Sequence, residues 1–208
     1  MTICAEKSQT DTYSELLIGC GKDLRKKMGK ANDLQWHNMT TLDMNPDFNP
    51  DVIWDLEKLP LPFEDNSFDE IHAYEVLEHC GRQGDWRFFF DQFSDFWRIL
   101  KPGGYFFATM PAPGTVGVWC DPGHCRSFAK ETLLYLDQVS YTNILPGLPW
   151  VVIGYITDYR FYYKADFQTV ECGYCDESLR FVLQAKGKDN GKEDKRDKKE
   201  GTKEWKDI

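Results

Sequence analysis

The sequence predicts an α/β fold built on a doubly wound, mostly parallel sheet. Three observations predict it. Short unbroken apolar runs, each suited to a strand buried on both faces, alternate with crossover segments. The first run, Leu16-Leu17-Ile18, ends in the glycine pair Gly19-Cys20-Gly21. Near the C-terminus, segments 167–174 and 179–185 read as an antiparallel hairpin turning at Asp176 and Glu177, which brings the expected sheet to seven strands.

The elements follow in order. Residues 1–13 read as a loose leading segment, and Leu16–Ile18 as the first strand. Glycine accepts positive φ and lacks a Cβ, so the G-x-G turn lets backbone N–H groups approach a ligand. Lys22–Lys30 has the composition of one or two helical turns stopping near Gly29. A second strand is expected over 34–42, then a turn-rich N-P-D-F-N-P loop, and a short strand over 51–56 ending at Asp55. A proline-broken loop leads to a strand from Asp69 that ends at Tyr74 or Glu75, and 81–85 is a further loop. From Trp86 to Leu100 apolar and aromatic residues recur at helical spacing, the pattern of a helix packed on a sheet. Lys101-Pro102-Gly103-Gly104 stops that helix, and Tyr105–Met110 is the next buried strand. A helix is expected over Lys130–Val139, with Ser127 or Thr132 as its cap. Residues 141–165 carry no secure assignment.

The spacing narrows the ligand. A dinucleotide fingerprint needs a third glycine three residues after the second, where this chain has Leu24. A nucleoside-type ligand without a pyrophosphate fits better. An acid about 20 positions further on should hold ribose hydroxyls, and Asp43 stands there.

Composition sets bounds. The 208 residues, 41% hydrophobic and 15% aromatic, suit one core-bearing domain. No stretch approaches the roughly 20 apolar residues of a membrane span, and the first residues lack the apolar core of a signal peptide, so a soluble, cytoplasmic protein is expected. Net charge is -9. From Lys186 to Ile208 there are 9 basic and 7 acidic residues, leaving 16 basic and 27 acidic, a net -11, for the remainder. An acidic body disfavours nucleic acid as partner. The segment 187–208 reads as a charged disordered tail behind a domain over 1–186. Seven cysteines without a secretory signal read as reduced thiols, with no resident metal expected. Zinc bound by Cys120, Cys125, Cys172 and Cys175 is the alternative; it is opposed by the C-G-Y-C pair lying in an extended segment, where residues three apart face opposite ways.

Taken together, L-L-I-G-C-G, L-D-M-N, D-L-E-K-L-P-L-P-F-E-D-N-S-F-D-E-I, A-Y-E-V-L-E-H and R-I-L-K-P-G-G-Y-F-F resemble, in order, the motifs of the class I S-adenosylmethionine-dependent methyltransferases, in particular small single-domain ones of the type 11 kind. D-P-G-H-C-R-S-F-A-K-E-T is similar to a segment that follows the fifth strand in some members. The resemblance spans about residues 15–186. It implies a Rossmann-like sheet and S-adenosyl-L-methionine as cofactor, with Gly19, Cys20 and Gly21 in the glycine-rich turn and Asp43 and Met44 at the ribose. It places Asp55 and Leu56 at the adenine, and Tyr74 and Glu75 at the active-site rim. The chain departs from the family at Leu17, where an acid often contacts the methionine part of the cofactor, and after Gly21, where Lys22 and Asp23 replace a further small residue.

Methyl transfer from a sulfonium is an in-line displacement, so positioning supplies most of the catalysis, and a base helps where the acceptor carries a proton. His79, after the fourth strand, is the first candidate and His124 the second. Glu75 and Glu78 could shape the site electrostatically. The amino-methylase D/N-P-P-Y/F motif and a Pro-Cys nucleophile are both absent from the matching positions. The expected reaction is therefore methylation of an O or N atom on a small-molecule, glycan or protein acceptor, the acceptor and the oligomeric state being unread. A non-catalytic binding or regulatory module on the same fold is the competing reading.

Overall fold

The computed structural model describes residues 13–141 and 156–188. The expectations for residues 1–12, for most of the charged tail, and for part of the unassigned 141–165 region fall outside them.

The first strand, β1 (Glu15–Ile18), is buried along its whole length and starts the sheet centre. Strand β2 (Met39–Asp43) pairs parallel with it, and the two-residue β3 (Val52–Ile53) pairs parallel with β2. On the other side β4 (Phe68–Tyr74) pairs parallel with β1, and β5 (Leu100–Pro111) parallel with β4. The hairpin strands β6 (Phe167–Cys175) and β7 (Ser178–Ala185) close the sheet, with β7 antiparallel to both β5 and β6. The resulting seven-stranded order is β3-β2-β1-β4-β5-β7-β6. The order in which strands are added reverses between β1 and β4, the point at which open α/β sheets form a crevice beyond the carboxyl ends of their strands.

One long helix covers one face. Helix α1 (Trp86–Ile99) begins at Asp85, whose side chain accepts from Phe88 N at 3.1 Å, and buries Phe90, Phe93, Phe96 and Ile99. Phe96 stacks on Phe106 of β5 at 4.9 Å between centroids, and Phe93 meets Phe106 at 5.8 Å. Each such ring contributes about 1.5–3 kcal/mol through burial. The opposite face is covered by a smaller cluster of Leu17, Cys20, Met28, Tyr74, Phe107 and Val182.

Two expected helices are corrected. Segment 22–29 is irregular, followed only by a 3-10 turn at Lys30–Asn32. At its end, side chains of β4 take backbone donors that a helix would direct to preceding carbonyls. Tyr74 Oη accepts from Met28 N at 3.0 Å and from Lys27 N at 3.2 Å, and Glu70 accepts from Lys30 N at 3.1 Å. Lys26 is drawn into the sheet, where its ammonium bonds Glu15 and lies 2.8 Å from Glu70. The second expected helix forms as 3-10 turns at Lys130–Leu136 and Gln138–Tyr141. Its cap position is Ala129 with no side-chain bond, so neither Ser127 nor Thr132 caps it. A four-residue α2 (Gly117–Cys120) precedes it. The second and third strands are also shorter than expected, since pairing starts only at Met39 and Val52.

Candidate active site

Beyond the carboxyl ends of β1, β2 and β4 lies a cavity of about 510 Å³, lined by the glycine turn, the loops after β2 and β3, and the turn after β4. That volume lies within the range of small-molecule sites, roughly 300–1,000 Å³. Its floor is made by the turn 19–21. Gly19 has φ +58°, and a Cβ there would stand 2.2 Å from Val76 Cγ2, so only glycine lets β1 pass the end of β4. Gly21 has φ +52°, and a Cβ on it would meet nothing within 4 Å, pointing instead into open space.

Asp43, at the end of β2 and 8% exposed, holds this turn: its Oδ2 accepts from Gly21 N at 2.9 Å and its Oδ1 from Asn45 N at 2.9 Å. Each carboxylate oxygen keeps a further lone pair for a ligand hydroxyl. Asp55 Oδ1 accepts from Glu57 N at 3.0 Å, and Glu57 Oε1 in turn accepts from Gly81 N at 2.7 Å, tying the loop after β3 to the approach of α1. Glu75 is held in the left-handed region at φ +53°, with its N–H on Thr109 O at 2.9 Å. Backbone strain of that kind in a bulky residue costs about 1–3 kcal/mol and gathers at functional sites.

Of the residues the sequence pointed to, Gly19, Gly21, Asp43, Met44, Asp55, Leu56, Glu75 and His79 line this one cavity. Cys20 and Tyr74 do not: both side chains lie in the smaller cluster on the other face, with the Tyr74 hydroxyl bonded to Met28 and His72. Leu17 is buried in that cluster too. Phe48, Trp54 and Val76 also line the cavity and drew no functional reading from the sequence, because aromatic and aliphatic residues at strand ends and in loops read equally well as packing.

His79 is exposed on a 3-10 turn (Leu77–His79) directly after β4, and its ring meets that of His124 at 4.6 Å between centroids. His124 lies outside the cavity lining, in the loop after α2, with Nδ1 at 3.3 Å from Val118 O. Beneath them Glu78 is 2% exposed, and neither carboxylate oxygen has a hydrogen-bond partner. Burial pushes its carboxyl up to about 8, with the charge of Glu75 acting in the same sense. Buried Arg126 lies close by but is committed elsewhere, donating to Leu77 O at 2.8 Å and to Gln92 Oε1. Burial lowers its pKa to about 10.

The four cysteines considered for zinc are free, and among the described residues no cluster of metal-ligating side chains includes a cysteine. No helix among them is long and apolar enough to cross a membrane.

Residues 16–108 match a family model described as a methyltransferase domain. The chain is similar to a SAM-dependent methyltransferase from Archaeoglobus fulgidus (14% identity, 84% of this chain and 86% of that one, TM-score 0.50). It is also similar to the N-methyltransferase NodS from Bradyrhizobium japonicum, solved with S-adenosyl-L-homocysteine (17% identity, 84% and 78%, TM-score 0.50). A third likeness is to a complex of the Haloferax volcanii Trm112 methyltransferase activator with a putative methyltransferase (12% identity, 84% and 83%, TM-score 0.50). No curated protein sequence matches significantly. The strand order, the cavity at the sheet's switch point and the match over residues 16–108 thus agree: that stretch matches the methyltransferase-domain model, and the chain has the fold of the class I S-adenosylmethionine-dependent methyltransferases.

Proposed function

We propose that the protein is an S-adenosylmethionine-dependent methyltransferase whose acceptor is an O or N atom of a small molecule, glycan or protein. The observation that carries this reading is the cavity at the switch point, where a glycine with open space above it and a buried aspartate at the end of β2 meet. The residues present fit the cofactor. Asp43 would take the ribose hydroxyls, with Met44 beside it. Asp55 and Leu56 would face the adenine, and the N–H groups of turn 19–21 and the rim at Glu75 would flank the methionine part. Cys20 and Tyr74 would contribute through backbone alone, their side chains facing away. When bound, the cofactor supplies an electrophilic methyl group.

The chain's own work is then orientation and proton removal. The turn and the Asp43 carboxylate fix one end of the cavity, so the reacting atoms meet in line without further search. His79, on the cavity wall and exposed, is the group that would take a proton from an acceptor O–H or N–H as the new bond to carbon forms. His124, in ring contact with His79, would orient it. The acidic body speaks against a nucleic-acid acceptor, and residues 1–186 would form the catalytic domain of a cytoplasmic protein.

A second reading, a non-catalytic module, draws on Leu17, a buried leucine where the family often carries a cofactor-binding acid. Calorimetric titration with S-adenosylmethionine and S-adenosylhomocysteine tests both. Micromolar binding that Asp43→Ala abolishes supports the enzyme reading. No binding by the parent chain overturns it in favour of the module.

A further inference from the structure

Glu78 and His79, from the turn after β4, and His124, from the loop after α2, converge: each offers one ligand atom, and these all lie within 4.8 Å of one another. Two independent features mark the cluster as built for a cation. The first is Glu78, whose buried carboxylate has no hydrogen-bond partner although His124 Nε2 lies 4.0 Å from its Oε1. A carboxylate removed from water without partners is costly unless a charge completes it. The nearby Arg126 charge favours the ionised form but makes no hydrogen bond to it, since its donors go to Leu77 O and Gln92.

The second feature is how the two rings are held. His124 Nδ1 lies 3.3 Å from Val118 O, and His79 Nδ1 lies 3.3 Å from Gly123 O. A histidine that donates Nδ1–H to a backbone carbonyl keeps its lone pair on Nε2, the outer-shell arrangement that orients metal-bound imidazoles. The loop is fitted to the His79 ring: a Cβ on Gly123 would stand 3.1 Å from His79 Nδ1, so the D-P-G-H turn brings bare backbone against it.

We infer that Glu78, His79 and His124 form a site for one divalent transition-metal ion of the zinc type, held by two imidazoles and a carboxylate with a position left open. Imidazole ligands favour such an ion over calcium or magnesium, and a two-histidine, one-carboxylate set with an open position is a catalytic pattern. Metal–ligand bonds of about 2.0–2.1 Å place ligand atoms roughly 3.3 Å apart in a tetrahedron, so the cluster closes by about an ångström on loading, a movement the exposed His79 ring can make. The site borders the cavity that His79 lines. With an ion bound, the His79 lone pair is occupied, so its role as base belongs to the metal-free protein. An acceptor hydroxyl on the open position would instead be acidified by the ion and release its proton to water.

The test is titration of chelator-treated full-length protein with zinc, and with cobalt(II) as a spectroscopic probe, beside Glu78→Gln, His79→Ala and His124→Ala. The expected result is one equivalent bound, weakened roughly tenfold or more by each variant, with cobalt d–d bands and no intense thiolate charge-transfer band. Zinc affinity unchanged in the exposed-site variant His79→Ala, which cannot fail through loss of core packing, overturns the inference; so does a thiolate band, which assigns the ion to the cysteines. Titration of the same samples with S-adenosylhomocysteine keeps the questions apart, because cofactor binding without metal binding sinks this site and leaves the methyltransferase reading standing.

Discussion

Gly19 and Gly21 share a backbone conformation but not a reason for being glycine. At Gly19 the left-handed φ and the 2.2 Å approach of Val76 act together. Gly19→Ala should therefore cost roughly 2–5 kcal/mol, from about 1–2 for the backbone and about 1–3 for overpacking. At Gly21 only the backbone cost applies, about 1–2 kcal/mol, because the new methyl enters open space. Gly21 also lines the cavity. Urea denaturation should show a large loss of stability for Gly19→Ala and a modest one for Gly21→Ala, whereas S-adenosylhomocysteine titration of the folded Gly21→Ala protein should show binding lost. Equal stability losses in the two variants would refute the distinction. Much of this was legible in the residues: a G-x-G after an apolar run and an acid about 20 positions on are local signals, and Gly19, Gly21 and Asp43 meet as that spacing requires. Glu78 was harder to read, since nothing local in V-L-E-H says that its carboxylate is buried without a partner.

Among the elements, the strands and α1 could be read because burial on both faces, or on one helical stripe, writes a period into the sequence. Segment 22–29 could not, because its conformation is decided by residues far along the chain. Its helix propensity loses to Tyr74 and Glu70, which take its N–H groups, and to the buried triad of Lys26, Glu15 and Glu70. Burial opposes ionisation of Glu70, but hydrogen bonds from His72, Lys26 and Tyr13 outweigh it and hold its carboxyl well below the usual range. Lys26→Met would leave both carboxylates inside the protein without their ammonium partner, and breaking a buried ion pair from one side costs about 3–5 kcal/mol. The loss should appear as a lowered denaturant midpoint at unchanged slope. A midpoint within error of the parent would mean that this crossover is not what fixes 22–29 against the sheet. The price of the arrangement is the absence of a helix N-terminus at the glycine turn, which leaves the cavity without a dipolar anion seat and suits a ligand whose nucleoside end carries no phosphate.

At the scale of the whole molecule, two buried carboxyls set opposite limits on stability. Glu70 has a folded pKa below its unfolded one, so its contribution is present above the unfolded value and is lost as pH falls through the folded one. Glu78 runs the other way. Its ordinary value is 4.5 and burial pushes it up to about 8, so between these values the folded chain holds a proton that the unfolded chain has released. Stability therefore declines as pH rises across that window, and above about 8 the folded state must carry an unpaired buried charge. With each pKa unit equal to about 1.36 kcal/mol, the decline amounts to a few kcal/mol. In the presence of chelator, thermal melts of Glu78→Gln should match the parent near pH 4.5 and exceed it increasingly toward pH 8, because the amide cannot ionise. Zinc should remove most of that difference by stabilising the parent alone, since an ion bound only to the folded state raises its stability by mass action. A Glu78→Gln protein whose melting temperature falls with pH just as the parent's does would show that the buried carboxyl is not the source of the alkaline limit.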